Sequence, residues 1–87
     1  MITLKRWETF SKRDQLAHIA SEIMRAKLTK DENIYKAILE RAIDLINLSL
    51  ADSKWLDNAL MILYLRNGLA GAYIGENKNL DEILAAI

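Results

Sequence analysis

The chain has 87 residues, 52% of them hydrophobic, with no proline and no cysteine. A chain this short removes only roughly 60–65% of its unfolded surface from water on folding, so it has room for one thin core and no second domain. Without cysteine there is no disulfide framework, no thiolate nucleophile and no cysteine-based metal or iron–sulfur centre. Twelve basic and twelve acidic side chains cancel, which removes any whole-molecule attraction to a polyanion or polycation.

The first ten residues form an arm. They contain no apolar core of a signal peptide, because Lys5, Arg6 and Glu8 fall where it would have to lie, so the chain is expected to stay in the cytoplasm. Leu4, Trp7 and Phe10 do not continue the pattern of the helix that follows, so the arm is expected to turn near Thr9 to Ser11. That leaves Trp7, flanked by Lys5 and Arg6, as a candidate contact residue for a partner.

Leu, Ile and Ala supply 14, 11 and 11 residues, strict apolar alternation is absent, and the chain reads as all-helical. Ser11 with Asp14 resembles a capping box opening a helix over 12–28. Leu16, Ile19, Ala20, Ile23 and Ala26 share one face of it, and Asp14, His18, Glu22 and Arg25 the other. After a turn at 29–31, a second helix is expected over 32–50, capped by Asp31 or Thr29. Its apolar arc of about 180°, filled by Ile34, Tyr35, Ile38, Leu39, Ala42, Ile43, Leu45, Ile46, Ser49 and Leu50, suits a helix with two neighbours.

Asp52 or Ser53 should cap a third helix over 54–74, with Gly75 just past its end. Asn79 with Glu82 should open a short last helix over 80–86. The expected fold is therefore all-α: a small antiparallel bundle of three long helices, with a short C-terminal helix and an N-terminal arm.

The third helix has no wide polar face. Leu56, Leu60, Leu63 and Ile74 project to one side, Trp55, Ile62, Leu69 and Tyr73 to another, and Met61, Leu65 and Ala72 to a third. A helix apolar all round is normally buried all round, and so small a bundle cannot surround it. A homodimer is the expected answer, with Met61, Leu65, Leu69 and Ala72 joining Trp7 as candidate interface residues. The stretch from Ala59 to Gly75 is short for a membrane span and carries Arg66 near its centre, so no membrane segment is expected.

Arg66 is the charge on this apolar helix. It is expected to pair with a carboxylate, cap a C-terminal carbonyl, stack on Tyr73 or Trp55, or hold an anion in an interhelical pocket. Asp14, His18 and Glu22 line up at i, i+4, i+8, but no second helix supplies the further ligands a metal centre needs, so the row reads as a solvated face. Neither a cofactor nor a metal is expected. Gly68 and Gly71 lie inside the helix, where glycine costs about 0.5–1 kcal/mol against alanine, and close approach of another helix would offset that.

Residues 1–30 carry net +4 and residues 31–87 net −4. The basic cluster Lys5, Arg6, Lys12 and Arg13 offers phosphate contacts, but pairing between segments explains the asymmetry as well, and nucleic acid is not the favoured partner. There is no nucleophile elbow, phosphate loop or dinucleotide fingerprint. A non-enzymatic interaction or adaptor domain is the favoured function; a nucleic-acid-associated regulator and a ligand- or metal-binding bundle are the competing classes.

Overall fold

The computed structural model describes residues 2–76 and 79–87. Five α-helices follow one another: α1 (Leu4–Trp7), α2 (Lys12–Leu28), α3 (Glu32–Ala51), α4 (Ala59–Tyr73) and α5 (Leu80–Ala85), with a 3-10 helix over Ser53–Asn58 between α3 and α4. Among the described residues every regular element is helical, and no helix is long and apolar enough to cross a membrane.

Local chemistry explains the helix ends. Ser11 Oγ accepts from the Asp14 amide at 3.1 Å and starts α2. Asp31 Oδ1 accepts from the amides of Asn33 and Ile34 at 2.9 and 3.1 Å, so Asp31 rather than Thr29 caps α3. Asn79 Oδ1 receives the Glu82 amide at the head of α5. Gly75 takes φ +85°, and the amides of Gly75 and Glu76 return to the carbonyls of Ala72 and Gly71, which closes α4 as a glycine-stopped helix should.

Two expected elements come out differently. The arm contains a single helical turn, α1, capped by Thr3, whose Oγ1 accepts from the Arg6 amide. The third long helix begins at Ala59 rather than at 54. Asp52 Oδ1 does cap the Lys54 amide, at 3.0 Å, but the chain then runs as a 3-10 helix to Asn58. That segment carries Trp55, whose indole is drawn inward to a buried acceptor.

α3 packs against both α2 and α4, as its wide apolar arc implies, and α5 lies against α2 and α4. The core is built from Ile19, Ile23 and Ala26 of α2, Ile38, Leu39, Ala42 and Ile46 of α3, Ile62, Leu65, Leu69 and Ala72 of α4, and Leu80 and Ile83 of α5, with Trp7 and Trp55 also buried. Gly68 lies where Ile83 of α5 packs against α4. A Cβ there would stand 3.0 Å from Cδ1 and Cγ1 of the buried Ile83, so this glycine is offset by a helix of the same chain.

The molecule measures 34 × 24 × 18 Å. With helix axes about 8–10 Å apart, that cross-section holds roughly two helices by two. α4 therefore has an inner side and an outer side, although its sequence does not distinguish them.

Candidate interaction face

The expected interface is the inner side. Leu65, Leu69 and Ala72 are buried in the core, and Met61 is half-buried against it. The assignment of this face to a partner is corrected: the stripe Ile62, Leu65, Leu69, Ala72 has the i, i+3, i+7, i+10 spacing of a core face, and α3 and α5 cover it.

Trp7 is also corrected. The arm folds back so that its ring is buried, its Nε1 donates to Ser49 Oγ at 3.0 Å, and Phe10 meets it edge-on at 5.7 Å between centroids. An indole needs a partner for its N–H when buried, and Ser49 supplies one.

Trp7 belongs to a buried polar cluster that sequence reading did not find. Gln15, Ser49 and Asp52 are all buried. The Gln15 amide group donates to the Trp7 carbonyl at 3.0 Å, the Phe10 carbonyl at 3.3 Å and Asp52 Oδ2 at 2.9 Å. Its Oε1 accepts from Trp55 Nε1 at 2.6 Å and Ser49 Oγ at 3.3 Å. Lys54 closes the cluster, its Nζ 2.8 Å from Asp52 Oδ2 and donating to the Glu8 carbonyl at 2.7 Å. The signal was two tryptophans needing acceptors, but nothing local says that a glutamine on α2 would provide one. With its donors and acceptors turned on one another, the cluster ties the arm, α2, α3 and the 3-10 helix together.

Burial alone would raise the pKa of Asp52. The hydrogen bonds from the Lys54 side chain and amide and from Gln15, with the nearby ammonium charge, outweigh it and hold the carboxyl below the usual range. The ionised form is thus favoured on folding. Its contribution is present above the unfolded value, about pH 4, and is lost as pH falls through the lower folded one. Urea midpoints should decline on acidification below about pH 4, and Asp52→Asn should be less stable at pH 7 with a shallower acid decline. An unchanged acid slope in that variant would contradict this role for Asp52.

Arg66 is exposed, not buried. Its Nε donates to Asn47 Oδ1 at 2.9 Å on the outside of the α3–α4 contact, so it has neither the carboxylate nor the interhelical pocket expected for it. Nearby, the Tyr73 hydroxyl donates to Glu40 Oε1 at 2.8 Å, and that bond and the carboxylate charge push the phenol's pKa up.

The Asp14, His18, Glu22 row is dispersed by its neighbours. His18 lies against Phe10 and Trp7, at 5.0 and 5.9 Å between ring centroids, while Glu22 sits 3.5 Å from Arg25 and 3.6 Å from Arg41. Among the described residues no group of three or more His, Cys, Asp or Glu is placed to hold a metal ion. Of the basic cluster, Lys12 is engaged with Asp57 and Asn58 at 2.7 and 2.9 Å and lies over the Trp55 ring, leaving Lys5, Arg6 and Arg13 exposed.

The surplus of apolar surface lies on the outer side of α4 and on the 3-10 helix that leads into it. Leu56 is 79% exposed, Leu60 83%, Leu63 38%, Tyr64 50% and Ile74 66%. These are the members of the first projected side, joined by Tyr64, and α4 carries no charge besides Arg66. A second, smaller group of exposed apolar side chains, Met24, Leu28 and Ile34, stands where α2 passes into α3. Single exposed leucines are ordinary, but several large apolar side chains gathered on one side of the molecule mark a contact surface. No protein-family model, curated protein or solved structure matches the chain, and its functional reading rests on this face.

Proposed function

We propose that the chain is a non-enzymatic protein–protein interaction domain that acts as a homodimer in the cytoplasm, its contact surface being the outer side of α4. The observation that carries this reading is the exposed row Leu56, Leu60, Leu63, Tyr64 and Ile74. The bundle behind it is read as three principal helices in antiparallel order. Gln15 and Glu22 of α2 meet Ser49 and Arg41 of α3, while Arg66 and Tyr73 of α4 meet Asn47 and Glu40, each pair running in opposite chain directions.

A second copy of the chain is the occupant this surface supports. The row bears no charge, so two copies meet without like-charge repulsion, and an uncharged apolar face offers nothing to attract a charged partner. Its five side chains leave about as much surface bare as three fully exposed ones. Covering that on both partners, at about 1.5–3 kcal/mol per side chain, recovers roughly 9–18 kcal/mol against the roughly 4–15 kcal/mol that association costs.

Light scattering at micromolar concentration should give twice the 9.9 kDa chain mass. Leu60→Glu should reduce it to a single chain with an unchanged far-ultraviolet spectrum, because Leu60 touches little of its own fold. Leu28→Glu, at the other exposed group, should remain dimeric. Wild-type protein that is monomeric throughout, or a dimer lost in Leu28→Glu but kept in Leu60→Glu, would overturn the reading.

A further inference from the structure

Along α4 the exposed positions follow a repeat. Leu60, Leu63, Tyr64, Asn67, Ala70 and Ile74 are exposed and Gly71 is half-buried. At about 100° per residue they occupy an arc of about 120°. Their advance of seven residues for every two turns is the seam of a two-helix coiled coil, with Leu60, Asn67 and Ile74 equivalent and Asn67 in the middle.

Size is distributed unevenly on this seam. Before Asn67 stand Leu60, Leu63 and Tyr64; after it stand Ala70, Gly71 and finally Ile74. A parallel pair would set Tyr64 against Tyr64 and glycine against glycine, crowding one half and leaving a void in the other, and voids and overpacking both cost stability. An antiparallel pair centred on Asn67 sets Leu63 against Gly71 and Tyr64 against Ala70, so bulk meets hollow at the two inner levels, and it sets Leu60 against Ile74 at each end.

Asn67 is the polar member of the seam, is exposed, and its side chain takes part in no hydrogen bond with the described residues. An asparagine side chain carries a donor and an acceptor, so two of them related by a two-fold axis can satisfy each other in both directions. A single asparagine at this kind of position sets register and orientation. Any shift by a turn would place each amide against an apolar side chain.

From the size pattern and the central asparagine we infer that the second copy packs α4 against α4 antiparallel, on a two-fold axis through Asn67, with Tyr64 of each copy seated over Ala70 and Gly71 of the other. This rests on the homodimer reading above and specifies its geometry. Tyr64 is the anchor of the contact and Asn67 its register pin.

The absence of native cysteine makes the test clean. Asn67→Cys should give a disulfide-linked dimer under mild oxidation. Leu60→Cys alone and Ile74→Cys alone should not, because each lies about 10 Å along the helix from the axis and its twin about 20 Å away. Mixing Leu60→Cys with Ile74→Cys protein, which keeps Asn67 intact, should restore cross-linking between the two. Light scattering on the reduced proteins separates the two claims. Monomers overturn the homodimer reading; a dimer in which Leu60→Cys links to itself while the mixture does not link across overturns the antiparallel register alone. A dimer that links at none of these positions overturns both the register and the use of this face.

Discussion

Leu65→Glu should yield a chain that does not fold. Leu65 is fully buried on the inner side of α4, and truncating a buried leucine to alanine typically costs about 2–5 kcal/mol. A carboxylate there adds the penalty of an unpaired charge in an apolar site. A domain of this length has roughly 4–13 kcal/mol of stability to lose, at about 0.05–0.15 kcal/mol per residue. The comparison is Leu60→Glu, the same change five residues earlier on the same helix. There it should separate two copies and leave the helical spectrum and the thermal transition of the single chain in place. Circular dichroism and mass measurement of both variants decide it, and a folded Leu65→Glu protein would contradict the assignment of inner and outer sides.

Gln15→Ala should be the most destabilising single change among the polar residues. Removing the amide strands the Trp55 indole N–H inside the fold and leaves a cavity beside it, while Asp52 Oδ2 keeps Lys54 and the Trp7 carbonyl keeps the Phe10 amide. At about 1–3 kcal/mol for an unsatisfied buried group, a loss of that size follows. Urea unfolding followed by tryptophan fluorescence reports it directly, because both indoles belong to the cluster. Gln15→Glu gives the sharper contrast. It keeps the shape but sets a second carboxyl where the amide nitrogen stood, 2.9 Å from Asp52 Oδ2. That carboxyl should hold its proton more tightly in the fold than in the unfolded chain, so the variant should gain stability as pH falls from 7 towards 5. Wild-type protein should be flat over that interval. If Gln15→Ala cost less than about 1 kcal/mol, the amide would not be carrying the satisfaction of buried groups assigned to it.

Sequence reading was closest where structure is decided within one turn. Ser11, Asp31 and Asn79 mark the starts of α2, α3 and α5, and Gly75 the end of α4, because a cap is a bond between a side chain and an amide two or three residues away. The bounds of α2 agree at both ends and those of α3 and α5 within one residue. Reading was weakest where distant residues compete. Gln15 and Trp55 are 40 positions apart, and their bond both buries the indole and accompanies the 3-10 winding that delays α4. Trp7 looked like a free aromatic on a basic arm; its acceptor, Ser49, is 42 positions away.

By itself, then, the amino-acid sequence determined an all-helical chain, most of its helix starts, and an excess of apolar side chains concentrated on one helix without a polar face. Which side of that helix is hidden was decided only by tertiary structure. Periodicity reports a contrast between faces, and α4 presents leucine in nearly every direction, so its own residues give no angle to prefer. The positions of α3 and α5 break the tie, covering Ile62, Leu65, Leu69 and Ala72 and leaving Leu60, Tyr64, Asn67 and Ile74 facing outward.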